Sequence, residues 1–344
     1  MRVNVMSKKT DDASNSPLFR PQSKRLMDQV REVLRYYHYA KRTEEVYVKW
    51  ILSFIRFHGK KHPNELGKEH IESFLSDMAM NKNYAASTQN LAMNAIVFLY
   101  KKVLQLPIAD NISAARSKKP VRLPVVLSKQ EVSKLLSFMQ GQRGLMAKLM
   151  YAGGFRVMEV VRLRVQDIDF ANSYILIRDG KGGKDRTTLL ASSMVPELKQ
   201  QLEKTRVLFE EDLASGQANV YLPGALAKKY PKASSSWEWQ YVFPSKNLSV
   251  DPRGGAIRRH HINETGIQKG IRAAKEKAGI VKRVTSHTLR HSFATHLLAS
   301  GTNIRVVQKL LGHADVKTTE IYTHVLQQDL GAVISPLEQL GNSE

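Results

Sequence analysis

Apolar residues at helical spacing run through the first third of this chain, and this periodicity restricts its fold more than any other feature. Four stretches between residues 23 and 105 place apolar side chains three or four positions apart, which aligns them on one face of an α-helix. The four apolar stripes begin at Leu26, Tyr47, Ile71 and Leu91. Four amphipathic helices with short connections predict a small helical bundle.

A basic segment without helical periodicity follows the four stripes. Residues 110–124 contain two prolines and a cluster of basic side chains, which is typical of a linker between domains. The sequence therefore predicts a flexible lead over residues 1–22, a helical domain over 23–109 and a second domain over 125–344. Ser128 and Glu131 have the spacing of a capping box and predict the first helix of that second domain.

The second domain mixes helical and strand patterns. Two short β-prone runs, 173–178 and 186–190, flank a glycine-rich segment and predict a hairpin. Residues 214–256 show neither period and are predicted to be irregular, whereas helices resume from about residue 262. The expected fold is mainly α with a small β component: a four-helix N-terminal domain followed by a mostly helical α+β domain.

Composition favours a polyanionic partner. Lysine and arginine number 53 against 31 acidic residues, a formal net charge of +22, and each phosphate that such charges neutralise releases counterions. A basic protein without nucleic acid, or a membrane-surface binder, is the alternative, although no basic amphipathic anchor stands out.

Cysteine is absent, which excludes disulfides, cysteine-ligated zinc and thiol nucleophiles. No apolar run approaches the roughly 20 residues of a membrane span, and no signal peptide is recognisable, so we predict a soluble, cytoplasmic protein.

Three fragments carry groups suited to phosphodiester chemistry, which needs a nucleophile, positive charge on the non-bridging oxygens and an acid for the leaving oxygen. The first fragment contains Arg156, whose guanidinium could fork onto two phosphate oxygens. Glu159, three residues later, could hold that guanidinium in place. An ordinary surface ion pair would have the same spacing, so this fragment alone does not indicate a site.

The second fragment, Ser286–His296, places His287 and Arg290 on one helical face. His291 lies one turn from His287 and raises a metal site as an alternative, but no carboxylate lies between the histidines and Arg290 would repel a cation. The third fragment contains Gly312, His313 and Tyr322. Gly312 is suited to a helix end, whereas a lone tyrosine in a helix more often packs than reacts.

The three fragments in this order, with Lys181 in the glycine-rich segment between them, resemble the tyrosine recombinase family of the phage-integrase type. The blocks Gly-Phe-Arg, His-x-x-Arg-His-x-x-Ala-Thr and Leu-Gly-His…Tyr carry the resemblance, which covers nearly the whole chain. It implies an enzyme that cuts and rejoins DNA through a 3′-phosphotyrosine, without a metal or nucleotide cofactor. Phe155 departs from the pattern, because the family usually has leucine or methionine there, and this puts local packing in doubt.

The resemblance also implies a role for each matched residue. Tyr322 would attack the phosphate, while Arg156 and Arg290 would stabilise charge on its non-bridging oxygens. The other catalytic residues would be Lys181, as the acid for the leaving oxygen, and His287 and His313, which would donate hydrogen bonds and manage protons. Two residues would support them: Glu159 would orient Arg156, and Lys184 would be the substitute for Lys181.

An insert over residues 214–262 resembles the additional segment of integron integrases, through its Lys-Tyr-Pro, Trp-x-Trp and Arg-Arg-His-His matches. Those enzymes recombine gene cassettes at folded single-stranded sites and at a duplex integron site. The resemblance implies that Trp239, His260 and His261 stack on protruding bases, that Pro252 braces a base, and that Arg258 and Arg259 hold phosphates. Trp237 and Trp239 could instead be strand neighbours, with one of them in the core.

An apolar tail over residues 329–344 would dock into a neighbouring subunit in this family, so a homotetramer on two DNA sites and a free monomer are expected. Four alternatives to an integron integrase remain. Another tyrosine recombinase or a type IB topoisomerase would share the chemistry, and the topoisomerase would act as a monomer. A catalytically silent DNA-binding protein would form no covalent adduct, and a histidine-metal nuclease would be inhibited by chelators.

Overall fold

The computed structural model describes residues 19–106, 123–178, 185–222, 224–252 and 254–327. Its internal contacts divide the chain into two compact units, Met1–Val121 and Arg122–Glu344. Both units are built mainly from helices, with small sheets only in the second unit over the residues described, which confirms the predicted fold class. Within these ranges no helix is both long and apolar enough to cross a membrane.

The first unit is the predicted bundle of four amphipathic helices. Its helices are α1 (Leu26–Tyr36), α2 (Lys41–Phe57), α3 (Lys68–Met80) and α4 (Ala86–Phe98), and α4 continues as a π-helix over Leu99–Leu104. The stripes identified by periodicity form its core, where Leu34, Ile51 and Phe74 are almost completely buried. Burial of these stripes against one another is what stabilises helices of this length.

Residues 19–22, the last four of the segment predicted to be a flexible lead, lie within the described residues and contact α1. Phe19 stacks on Tyr36 of α1 with ring centroids 4.5 Å apart. The backbone amide of Gln22 and the hydroxyl of Ser23 both donate to the Glu32 carboxylate. Residues 19–22 are therefore attached to α1, and the rest of the predicted lead, like most of the predicted linker, lies outside the described residues.

The second unit contains nine of the described α-helices. They are α5 (Lys129–Ser137), α6 (Gly141–Ala152), α7 (Val157–Val161), α8 (Val195–Ala214), α9 (Gly224–Lys229), α10 (Glu264–Lys277), α11 (Ser286–Ala299), α12 (Ile304–Leu311) and α13 (Lys317–Gln327). The predicted capping box opens α5: the Glu131 amide donates to the Ser128 hydroxyl over 3.1 Å, and the Ser128 amide donates to the Glu131 carboxylate over 2.7 Å.

Two small antiparallel sheets accompany these helices. The first has the order β1 (Ile168–Asp169), β2 (Tyr174–Ile177), β3 (Arg186–Leu189), and its β2–β3 pair is the predicted hairpin. The second pairs β4 (Pro244–Val250) with β5 (Ile257–His261). The prediction that residues 214–256 are irregular was wrong for the helix α9 and for the strand β4. The lysine, asparagine and serines of β4 have low strand propensity, and only pairing with β5 makes this segment a strand.

Two glycines bring α6, α11 and α12 together around the site. Gly154 has a φ of +64°, and a Cβ there would lie 2.5 Å from the Phe293 ring. Gly312 ends α12 with a φ of +63°, and a Cβ there would lie 2.7 Å from Cδ of Arg186. Only glycine combines a left-handed backbone with so close an approach, so both positions fix the path of the chain beside Arg290 and Arg186.

Candidate active site

Arg290 is the buried centre of the site. Its side chain lies on α11 and is almost inaccessible to solvent. Nη1 donates to the carbonyl of Gly154 and Nη2 to that of Leu311, both over 2.5 Å, and Nη2 also lies 3.2 Å from Nε2 of His313. These bonds fix the guanidinium between the end of α6 and the end of α12.

The environment of Arg290 favours a bound anion. Burial, and then the positive charge of Arg156, lower the pKa of Arg290 to about 9, while the charge of Glu159 acts in the opposite direction. A phosphate between the two guanidiniums would offset both unfavourable effects, because an opposite charge favours the cationic form. The charges of the site therefore favour an anion such as a phosphate, whose oxygens could accept from both guanidiniums.

Arg156 and Glu159 form an ion pair. Arg156 is the N-cap of α7, and its Nη1 and backbone amide donate to the Glu159 carboxylate over 2.8 and 2.7 Å. The Arg156 side chain keeps 22% of its surface exposed, whereas that of Glu159 keeps 8%. Glu159 thus holds part of the Arg156 guanidinium. The exposed part of the Arg156 side chain remains accessible to a ligand.

Arg186 is a second partner of Glu159 that sequence reasoning missed. It forks onto the carboxylate from β3, with Nη1 and Nη2 at 2.8 and 2.7 Å, and its Nε donates to the carbonyl of Leu310. Burial alone would raise the pKa of Glu159, but the hydrogen bonds and charge of Arg186, followed by the hydrogen bonds of Arg156, lower it to about 2. Arg186 therefore ties together β3, α7 and the end of α12.

The two predicted histidines flank Arg290. His287 lies in the first turn of α11 and is exposed; desolvation, and then the charges of Arg290 and Arg156, lower its pKa. His313 directly follows Gly312, and its Nδ1 lies 3.0 Å from the Thr319 hydroxyl. Since arginine can only donate, Nε2 of His313 accepts from Arg290 in this state.

Tyr322 lies on α13 beside these groups. Its side chain is buried, and its hydroxyl lies 2.9 Å from Nδ1 of His291. Its ring is nearly parallel to that of His313, with centroids 6.3 Å apart. Burial raises the pKa of Tyr322, whereas the charges of Arg290 and then Arg156 lower it.

The structure thus brings together five of the six predicted catalytic residues: Arg156, His287, Arg290, His313 and Tyr322. Lys181 and its substitute Lys184 lie outside the described residues, although the strands β2 and β3 on either side of them are paired. His291 was considered from sequence only as a metal ligand, and its contact with Tyr322 was missed. Within the described ranges, no group of three or more His, Asp or Glu side chains is arranged to hold a metal ion.

The two tryptophans of the insert lie in a 3₁₀-helix, Trp237–Trp239, so the alternative that they are strand neighbours was wrong. Both are partly exposed. The Trp237 ring packs against Phe209, with centroids 5.6 Å apart, and under the Arg206 guanidinium. The Trp239 ring lies 5.8 Å from the Arg178 guanidinium. Trp237 is thus packed on α8, and Trp239 has the looser ring contacts of the two.

The paired histidines form an aromatic cluster with Tyr241. The rings of His260 and His261 lie 4.0 Å apart, and each lies within 5.6 Å of the Tyr241 ring. Beneath this cluster, the buried Arg164 guanidinium stacks on Tyr241 at 4.0 Å and donates to the carbonyl of Trp239. His260 is exposed, as is Pro252, so the edge of the cluster is accessible.

The two arginines of the insert face different surroundings. Arg259 is buried and donates to both carboxylate oxygens of Asp212 and to the carbonyls of Ser245 and Lys246. The prediction that Arg259 holds a phosphate was therefore wrong, because its guanidinium is committed to an internal ion pair. Arg258, its neighbour in β5, is half-buried and donates to the Val220 carbonyl over 2.9 Å.

Known proteins match both units. A profile of the Phage integrase family matches residues 125–329, and a profile described as the Phage integrase N-terminal SAM-like domain matches residues 26–110. An integrase/recombinase of Escherichia coli is 47% identical over 329 residues, covering 95% of this chain and 97% of the relative. A tyrosine recombinase of Pseudothermotoga lettingae is 31% identical, covering 80% of this chain and 84% of the relative. A crystal structure of a lambda integrase tetramer bound to a Holliday junction is similar in fold, with a TM-score of 0.59 and 15% identity, covering 86% of this chain and 76% of that one.

Proposed function

The chain belongs to the Phage integrase family and is a site-specific tyrosine recombinase, and from this premise we propose that Tyr322 is its nucleophile. The observation that carries the proposal is the joint placement of Tyr322 and Arg290. His313 contacts both of them, with a hydrogen bond to Arg290 and a parallel ring against Tyr322. A phosphate bound by Arg290 would therefore lie within reach of the phenol.

The reaction proposed at this site is a transfer of the phosphodiester to the phenol. The Tyr322 oxygen attacks the phosphorus, the bond to the 5′ oxygen breaks, and a 3′-phosphotyrosine and a 5′-hydroxyl result. Arg156 and Arg290 donate to the non-bridging oxygens, where charge increases in the transition state. The covalent bond conserves the energy of the phosphodiester, so rejoining requires no nucleotide.

The supporting groups act on protons and on the remaining phosphate oxygens. We assign His287 to hydrogen-bond donation from the exposed side of the site. His313 can donate from Nε2 to a phosphate only if Nε2 gains a proton, because Nε2 accepts from Arg290 in the present state. Lys181, with Lys184 as its substitute, remains the proposed acid for the 5′ oxygen, and Glu159 orients Arg156.

A suicide substrate tests the assignment of Tyr322. A nick just downstream of the cleavage position lets the short 5′-hydroxyl fragment diffuse away and traps the adduct. The wild-type chain is expected to form a covalent protein–DNA adduct, and Tyr322→Phe is expected to form none. Tyr151→Phe is the matched control, since Tyr151 is a partly buried tyrosine of the same unit that bonds His296. An adduct formed by Tyr322→Phe would refute the proposal.

We further propose that the enzyme is an integron integrase that acts on gene cassettes at folded single-stranded sites and at a duplex integron site. A base that protrudes from a folded strand offers its π face for stacking. The accessible ring edge of His260 with His261, the loosely packed Trp239 and the exposed Pro252 support this proposal. Arg258 is proposed to hold a nearby phosphate from the same strand.

Strand preference tests this finer proposal. Adduct formation is measured on the folded bottom strand of a cassette site, on its top strand and on a duplex site. Stacking contributes about 1–3 kcal/mol per base, so Trp239→Ala should reduce binding of the folded strand by roughly 5- to 150-fold and leave the duplex nearly unchanged. Equal losses on all substrates would instead indicate a tyrosine recombinase that acts on duplex sites.

We propose that four protomers assemble on two DNA sites, as in the lambda integrase tetramer bound to a Holliday junction, and that the free protein is a monomer. The tail 329–344, which lies outside the described residues, is the proposed contact between subunits. A type IB topoisomerase would act as a monomer, so relaxation of supercoiled DNA by isolated monomers, without recombination, would favour that alternative.

A further inference from the structure

We infer that His291 is a catalytic residue on the nucleophile side of the reaction: its Nδ1 accepts the phenol proton of Tyr322 as the phenol oxygen attacks the phosphate. This inference rests on the proposed role of Tyr322 and goes beyond it. The resemblance that assigned His287 and His313 gives His291 no role, so the inference comes from the placement of the His291 side chain in this structure.

The position of His291 follows from the helix that carries the site. Residues one turn apart on α11 face the same side, so His291 lies beside His287 and directly after Arg290. Its Nδ1 lies 2.9 Å from the Tyr322 hydroxyl, and the two rings are 5.5 Å apart at 49°. In the part of the chain that the structure describes, this is the one side-chain hydrogen bond of that hydroxyl.

The protonation state of His291 suits an acceptor. Burial, and then the neighbouring His287 and the charge of Arg290, lower the pKa of His291 to about 4. The ring is therefore neutral near neutral pH, and a neutral imidazole whose Nε2 carries the proton offers its Nδ1 lone pair to the phenol. A free phenol has a pKa of about 10, so the proton leaves only as the oxygen forms its bond to phosphorus. The negative charge of the bound phosphate raises the proton affinity of His291 at that moment.

The proposed step balances in both directions. In cleavage, the bond between the Tyr322 oxygen and phosphorus forms and the phenol proton moves to Nδ1 of His291. The bond from phosphorus to the 5′ oxygen breaks, and that oxygen takes a proton from the acid assigned to Lys181. In rejoining, the 5′-hydroxyl attacks the phosphotyrosine and returns its proton to the group assigned to Lys181, while His291 returns its proton to the departing phenol oxygen.

Two substitutions separate proton transfer from positioning. In His291→Asn the side-chain oxygen lies near the former position of Nδ1, so it can accept a hydrogen bond from the phenol but cannot take its proton. His291→Leu removes both capacities. His296→Asn is the matched control, because His296 lies on the same helix and bonds Tyr151 rather than Tyr322.

The experiment measures single-turnover adduct formation on two suicide substrates. One has the natural 5′ bridging oxygen; the other has sulfur there, and sulfur leaves without an acid. General base catalysis contributes about 100-fold or more, so His291→Asn should slow adduct formation by about that factor on both substrates. Lys181→Ala should form the adduct slowly on the substrate with bridging oxygen and at a restored rate on the substrate with bridging sulfur. His296→Asn should form it at the wild-type rate on both. A third variant, His291→Ala, leaves space for a free base, so exogenous imidazole should partly restore its rate of adduct formation. Circular dichroism verifies that each variant is folded.

The outcomes are distinct. A wild-type rate for His291→Asn on both substrates would overturn the inference, whether or not His291→Leu is slow, because the phenol would then lose its proton without His291. Restoration of His291→Asn by sulfur would also overturn it, since the defect would lie on the leaving-group side. An adduct in Tyr322→Phe, or none in the wild type, would refute the proposed nucleophile instead.

Discussion

The carboxylate of Glu159 is predicted to stabilise the second unit more than any surface acid. It is buried, and it accepts hydrogen bonds from Arg156 and a two-bond fork from Arg186. Glu159→Gln keeps the shape of this side chain but removes its charge. The buried guanidinium of Arg186 then loses the counterion that compensates for its removal from water.

The size of the effect follows from the pKa of Glu159. A fall from 4.5 to about 2 corresponds to about 3 kcal/mol in favour of the folded carboxylate, at about 1.4 kcal/mol per pH unit. Because the folded-state pKa is the lower one, this stabilisation is complete above pH 4.5 and is lost as the pH falls toward 2. Removing one partner of a buried ion pair costs about 3–5 kcal/mol, so both routes give a similar value.

Urea unfolding, monitored by circular dichroism, measures the free energy of unfolding and tests this prediction. Glu159→Gln should lower the free energy of unfolding by about 3–5 kcal/mol at pH 7, and the difference from wild type should shrink below pH 4.5. Glu197→Gln is the control: Glu197 pairs with Lys148 in the same unit, with 45% of its side chain exposed, and exposed pairs contribute at most about 1 kcal/mol. Equal losses for the two variants, or a difference independent of pH, would contradict a stabilising buried carboxylate at Glu159.

Three further outcomes are expected. Gly312→Ala forces a Cβ against Arg186 in a left-handed backbone and should cost about 1–3 kcal/mol of stability while slowing cleavage; a neutral effect in thermal unfolding and adduct assays would contradict this. Asp212→Asn should destabilise the insert by about 3–5 kcal/mol, because it leaves the Arg259 charge buried without its partner; unchanged urea unfolding would contradict a stabilising ion pair at this position. Deletion of residues 329–344 should preserve single-site DNA binding in gel-shift assays but reduce synapsis, and recombination at the wild-type rate would exclude the tail as the subunit contact.

Local patterns were sufficient to predict the helical elements and much of the site. The stripes of the first unit, the His287–Arg290 spacing and the glycine after α12 are encoded within a few neighbouring residues. The Arg156–Glu159 pair was also visible, although its sequence could not distinguish it from a surface ion pair. Burial decides between those two possibilities, and burial depends on how the unit folds.

The remaining site residues depend on contacts between distant segments. Arg186 reaches Glu159 only because β3 packs beside α7 and α12, and no spacing in the sequence connects them. His291 shares its helical face with His287, so the sequence alone could not separate a metal ligand from a partner of Tyr322. The different surroundings of Arg258 and Arg259 followed from β5, whose pairing with the polar strand β4 has no clear sequence signal.

The most direct test of the account is to locate the DNA on the trapped protein. After a suicide-substrate reaction, nuclease and trypsin digestion leaves peptide 318–344, in which Tyr322 is the single tyrosine, ready for mass spectrometry. If Tyr322 is the nucleophile, this peptide carries a nucleotide joined through its 3′-phosphate to Tyr322. A nucleotide on any other residue, or cleaved DNA with no attached protein, would contradict it.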